Sequence, residues 1–254
     1  MSVKREELVE YLDELLELKL WKKIDVSLNG LQIEGAERIS RIAFAVDASE
    51  QTFRMCLEAA AQMLIAHHGL FWGKPLPLAG THRRRVKLLL DSDISLYVAH
   101  LPLDFHPQLG HCSCIARTLG LEIKDNLAIE SGMAVGTLAH APEPLDLSLF
   151  VSSVDSKLDT KSRLLPFGGD KIQRVGIISG YGSKILDEPL SKKIDIFLTG
   201  ESSHTLYHFA REFGVNVIFA GHYATELPGL KELASHLAAH FSLETEILQA
   251  PTGL

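Results

Sequence analysis

Three stretches decide the fold: RIAFAVD (41–47), MLIAHHG (63–69) and ISLYVAH (94–100). Each is a short, continuous apolar run, with helical patterns between them around 50–61 and 82–91. Runs of that kind do not alternate wet and dry, so they predict strands of a parallel sheet covered on both faces. Upstream, Leu8, Leu12, Leu15 and Leu16 recur at helical spacing among Glu and Lys, which predicts an amphipathic helix packed on that core. Downstream the layout repeats. RVGIISG (174–180), IDIFLTGE (194–201) and NVIFAGHY (216–223) are again buried strands with helical segments between them. Asp47 to His67 spans 20 residues, and Gly180 to Gly200 also spans 20. After the third strand each half carries His-x-x-x-carboxylate, His100 with Asp104 and His222 with Glu226. The expected class is therefore α/β: two related lobes with mostly parallel sheets, one over residues 1–125 and one over 126–254. The intervening 126–173 opens the second lobe, with VGTLAHAPEPLDLSLFVSSV as a strand followed by a helix. A final helix over Leu227–Phe241 has Leu230, Leu233, Leu237 and Phe241 as its stripe and is free to pack back on the first lobe.

Composition narrows the classes of function. The 254 residues carry 25 basic and 32 acidic side chains, a formal net charge of −7, so there is no global basic field to draw nucleic acid or anionic lipid. With 46% hydrophobic residues the chain buries a sizeable core and is not disordered. The N-terminal MSVKREELVEYLDELLE is charged from its fourth residue, unlike a secretory leader. No run approaches the roughly 20 apolar residues of a membrane helix. The expected location is the cytoplasm. Three cysteines, Cys56, Cys112 and Cys114, make neither a disulfide framework nor a zinc-thiolate set, and read as ordinary thiols.

The unusual count is histidine, at twelve. Ligands in open α/β sheets bind outside the carboxyl ends of the strands, and His67, His68, His100 and His222 all fall at that predicted edge. Neighbouring side chains on a strand point to opposite faces. At the strand terminus, however, a turn at Gly69, helped by glycine's tolerance of positive φ, would bring both rings of His67–His68 to one cavity. With Asp104, His222 and Glu226 at equivalent positions, the set is three imidazoles and two carboxylates. That exceeds one open tetrahedral zinc site. It suits two divalent ions about 3.5–4 Å apart with a carboxylate between them, an arrangement that makes a bridging hydroxide near neutral pH. Mixed N and O donors admit Zn, Mn, Fe, Co or Ni and select none of them.

These stretches resemble the Nif-three-like family, dinuclear-metal hexamers known as GTP cyclohydrolase 1 type 2 homologs. The matching segments are NGLQIEG (29–35), MLIAHHGLFW (63–72), LYVAHLPLD (96–104), IFLTGE (196–201) and AGHYATE (220–226). The resemblance implies a dimetal site between two lobes, with His67, His68 and Asp104 from the first and His222 and Glu226 from the second as ligands. It also implies a toroidal homohexamer, a trimer of dimers, and a short form without the inserted mid-chain domain. His100 and Glu201 lie beside these ligands and are expected to orient them or carry protons, since a ligating imidazole needs an acceptor on its other nitrogen.

The function expected is a metal-dependent hydrolase acting on a small molecule, by GTP ring opening or phosphoester hydrolysis. The alternative is a non-catalytic hexameric metal-binding or scaffold ring. A nucleic-acid link, proposed for the family, is opposed by the net charge. Other features carry less. His236 and His240 lie about 100° off the apolar stripe at 3.6 residues per turn and read as surface rings. His204 and His208 lack the glutamate of a zincin motif, because Thr205 stands in its place. Arg83, Arg84, Arg85 and Lys87 read as a solvated helix face rather than a phosphate grip.

Overall fold

The structure, a computed structural model, describes residues 1–130, 133–182, 187 and 193–253. It divides into two compact units: Met1–His106 with Leu230–Ala250, and Pro107–Gly229 with the residues from Pro251 on. The compact units part at 106/107 where the sequence predicts 125/126, and the segment Leu230–Ala250 belongs with the first.

The first unit is built on a five-stranded sheet. β4 (Arg41–Asp47), β5 (Met63–His68) and β6 (Ser95–Val98) are parallel neighbours, and the C-terminal strand β13 (Glu244–Ile247) adds in parallel beside β4. β2 (Gly30–Ile33) closes the other edge antiparallel to β6. A separate two-stranded ribbon pairs β1 (Val3–Lys4) with β3 (Arg38–Ile39). Ala43, Ala45, Leu64, Ala66, Leu96 and Val98 share one buried cluster with Phe53, Cys56, Val86 and Leu89 from the helices Glu50–Glu58 and Gly80–Asp91. The alternate set, Ile42, Phe44, Met63, Ile65 and Tyr97, is equally buried. Because both sets of a period-2 strand are covered, the sequence runs apolar without alternation. Tyr97 donates its hydroxyl to Asp13 at 2.9 Å, and burial together with that carboxylate pushes the phenol well above its ordinary pKa, so it stays a donor. The helix Glu50–Glu58 starts on a capping box, in which Ser49 Oγ accepts from Thr52 N–H and Thr52 Oγ1 accepts from Ser49 N–H.

The second unit has a six-stranded sheet. Its centre is parallel: β10 (Lys171–Ile178), β11 (Ile196–Thr199) and β12 (Asn216–Phe219). The flanks are antiparallel, with the hairpin β7 (Glu122–Glu130) and β8 (Met133–Asp146) beside β10, and β9 (Arg163–Leu165) beside β12. Parallel pairing is thus confined to the centre of this sheet. The segment read as a strand followed by a helix is β8 and the helix Leu147–Leu158. In both units the carboxyl ends of the parallel strands deliver the histidines: His67 and His68 end β5, His100 follows β6, and Glu201 and His222 follow β11 and β12.

Candidate metal centre

In the first unit His67 is fully buried and its Nδ1 donates to the Ala99 carbonyl at 2.8 Å. A carbonyl can only accept, so the hydrogen sits on Nδ1 and the Nε2 lone pair is exposed to a cation. That Nε2 lies 3.5 Å from Oδ2 of Asp104, a buried carboxylate at the end of the helical turn Leu101–Asp104. His68 is tied in the same way, Nδ1 to Asp47 Oδ1 at 2.9 Å, and its ring centroid is 4.7 Å from that of His67. His100 repeats the pattern, with Nδ1 at 2.9 Å from Asp25 Oδ1. Burial opposes ionisation of Asp25, but His100, Asn29 and the Ser27 amide together hold its carboxyl below the usual range. Ligand atoms of His67, His68 and His100 lie within 4.8 Å of one another. The edge of this group is covered by Trp72, whose ring stands edge-on to His100 at 5.1 Å.

Gly69 plays a different part from the one expected, since positive φ is not what it supplies. A Cβ there would come within 2.5 Å of the Gln32 amide and 2.6 Å of Val98. Gln32 Oε1 in turn accepts from Leu70 N–H at 2.8 Å, fixing the chain just past the histidines. Close approach, not backbone handedness, demands glycine at this position.

In the second unit His222 and Glu226 lie one helical turn apart around the short helix His222–Thr225. His222 Nδ1 meets Glu201 Oε1 at 2.6 Å and its Nε2 meets Glu226 Oε2 at 2.9 Å. Glu226 is only 3% exposed. Burial lowers the ring's proton affinity, but the two carboxylates override it and raise the pKa to about 9. The ring therefore sits in a field that calls for positive charge at Nε2, which a divalent ion can supply in place of a proton. Gly180, at φ +56°, makes room for the pair: a Cβ would stand 2.0 Å from Glu226 Oε1.

Nδ1 of each of the three expected ligand histidines is thus bonded to a carbonyl or carboxylate, the arrangement that orients metal-bound imidazole. The donor set fits a divalent metal. His111 is the contrast, because its Nδ1 accepts from Gly229 N–H at 3.0 Å, which leaves the hydrogen on Nε2. Glu201 and His100, expected beside the ligands, lie in contact with His222 and in the ring group of the first unit, respectively. Sequence reasoning passed over Asp25 and Asp47. For Asp47 a signal existed: it precedes His68 by 21 residues, as Glu201 precedes His222 by 21.

The remaining candidates do not join these groups. His204 and His208 lie on the exposed part of the helix His204–Phe213. His240 is exposed and stacks on Tyr11 at 4.3 Å, while His236 is half-buried and meets the Tyr11 hydroxyl at 2.6 Å. In the arginine run, Arg84 bonds Thr81 and lies 3.9 Å from Glu50, while Lys87 pairs with Asp91, as a solvated helix face does. All three cysteines are buried, and burial pushes the Cys56 thiol up to about 12, far from a nucleophile's range.

An α/β protein with histidine–carboxylate groups at its strand ends is a candidate metalloprotein, and comparison with known proteins makes the class specific. The chain belongs to the DUF34/NIF3 (NGG1p interacting factor 3) family, whose sequence model matches residues 3–252. It is 42% identical over 254 residues to a "GTP cyclohydrolase 1 type 2 homolog" of Deinococcus radiodurans, covering 100% of this chain and 95% of that one. A relative of the same name from Archaeoglobus fulgidus is 39% identical over 248 residues, covering 98% of each. Among solved structures, TTHA1606 from Thermus thermophilus superposes with a TM-score of 0.88 at 39% identity, over 99% of this chain and 100% of that one. The protein ybgI superposes with a TM-score of 0.92 at 31% identity, over the same shares. Among the described residues no helix is long and apolar enough to cross a membrane.

Proposed function

We propose that this chain is a dinuclear-metal hydrolase of small molecules, with His67, His68, Asp104, His222 and Glu226 holding two divalent ions. One observation carries the reading: the three imidazoles have Nδ1 bonded to an acceptor, and Nε2 of His67 and of His222 faces a buried carboxylate. When bound, divalent metal supplies Lewis acidity and acidifies water, which is what hydrolysis near neutral pH requires. Asp47, Ala99 and Glu201 fix the rings and raise their basicity as ligands. Asp104 and Glu226 bring negative charge to the cations, and His100, with Asp25 behind it, is placed to hold or pass a proton at its Nε2. The relatives' name points to the guanine ring of GTP as substrate, and phosphoester hydrolysis uses the same chemistry. The homohexamer, a trimer of dimers in the cytoplasm, belongs to the same proposal.

Elemental analysis of protein purified without added metal should find two equivalents per chain. The metal-loaded protein should turn over GTP or a phosphodiester, and a His68→Ala/Glu226→Ala double variant should not. Equal rates for both proteins would overturn the enzyme reading and leave a metal-holding ring, whose assembly rather than turnover would respond to chelation. Light scattering should give six times the chain mass.

A further inference from the structure

Beside the Glu201–His222 pair the second unit contains a cavity of about 790 Å³, within the range of small-molecule sites. Its walls include Glu201, Gly221 and Tyr223, the residues that bond or flank His222. On another wall stand Lys161 and Arg163. Arg163 opens β9 and Lys161 lies two residues before it, and both line the cavity while Ser162 between them does not. Neither cation forms an ion pair among the described residues, unlike Arg174 with Asp195 in the same unit. Ser202 adds an exposed hydroxyl to the lining, and Asp159 one carboxylate. Glu201 also lines the cavity, but its charge is engaged with His222.

Two unpaired cations and a hydroxyl turned toward one cavity, beside an imidazole expected to hold metal, define a grip for an oxyanion. We infer that this cavity binds the phosphate group of a phosphate-bearing small molecule, held by Lys161, Arg163 and Ser202. Arg163 offers a planar fork of N–H donors matched to two phosphate oxygens, and Lys161 a point charge for a third. Ser202 donates to a remaining oxygen. The rest of the ligand lies along the strand-end wall toward Glu201. For the fate of the ligand the inference rests on the proposed hydrolase; for its binding it does not. The substrates it selects are phosphate esters and nucleotides rather than neutral amides or sugars.

The test is calorimetric titration of the full chain with phenyl phosphate and, separately, with benzoate, each with metal removed by chelation and with metal restored. Phenyl phosphate should bind in both states and more tightly than benzoate. Lys161→Ala/Arg163→Ala should weaken it by at least about tenfold, as expected for lost charge-assisted bonds. Lys161→Arg, which keeps the charge, should stay within about threefold of wild type. Metal content should remain unchanged in both variants. Unaltered phosphate affinity in the double variant would overturn the inference, as would equal binding of benzoate. If the protein holds no metal but the cation-dependent binding persists, the hydrolase reading fails and this one stands. Two metals per chain with no effect of the double variant is the reverse.

Discussion

At the scale of single residues, the proposed centre turns on where hydrogens sit on imidazole rings. A histidine whose Nδ1 donates to a carbonyl or carboxylate can offer Nε2 to a cation; one whose Nδ1 accepts an N–H, as His111 does from Gly229, cannot without losing that bond. The supporting acceptors therefore matter nearly as much as the ligands. Replacing Asp47 by Asn, or Glu201 by Gln, keeps shape while removing charge, and each should weaken metal affinity by about 10- to 100-fold. Competition against a chromophoric chelator measures it. Affinities equal to wild type would mean that the pairs His68–Asp47 and His222–Glu201 are ordinary ion pairs rather than supports of a metal site.

At the scale of elements, the parallel strands must be delivered in register, and two local devices do so. Ser49 and Thr52 cap the helix between β4 and β5, and Thr52 also bonds the Asp47 carbonyl at 2.7 Å, so the cap anchors the residue that holds His68. Ser49→Ala should cost about 1 kcal/mol in urea unfolding, with the metal affinity little changed. Between β10 and β11, Asp195 accepts from the amides of Gln173 and Arg174 at 3.0 and 2.8 Å and from the Arg174 guanidinium. Burial opposes its ionisation, but Arg174 and those amides keep its carboxyl below the usual range. A carboxylate with a depressed folded-state pKa adds stability above its ordinary value and loses it as pH falls through the folded one. Asp195→Asn should therefore be less stable by about 1–2 kcal/mol at neutral pH, and its deficit should vanish in acid. A deficit independent of pH would assign the loss to packing instead.

The legibility of these elements in the sequence follows the same physics. β4, β5, β6, β10, β11 and β12 read plainly because each has a run of buried apolar residues covered on both faces. β13 and β2 do not, since an edge strand such as ETEI has exposed glutamates at alternate positions and too few residues to show a period. β9 is three residues long. The place of His67, His68, His100 and His222 at strand ends is legible from the sequence, and the structure has them there. Asp25 was not, because an aspartate in the loop KKIDVSLNG looks like any turn-former until the fold brings it to His100.

At the scale of the whole molecule, the two halves carry one device twice. In each, a carboxylate at the end of one parallel strand (Asp47 closing β4, Glu201 just past β11) receives Nδ1–H of a histidine 21 residues later at the end of the next strand. Of the five proposed ligands, the first unit carries His67, His68 and Asp104 and the second His222 and Glu226. Metal bound at a unit's strand ends stabilises that unit, and a ligand at 100 times its dissociation constant adds about 2.7 kcal/mol. Amide exchange reads this directly: restoring metal to the chelated protein should slow exchange by up to about 100-fold over 63–68 and over 216–219 alike. The decisive variant is Glu226→Gln, which alters the second unit only. It should abolish the metal-dependent protection of 216–219, because the His222 ring then loses the carboxylate that faces its Nε2. Protection of 216–219 that survives Glu226→Gln would show that Glu226 is no metal ligand and that its contact with His222 is an ordinary ion pair.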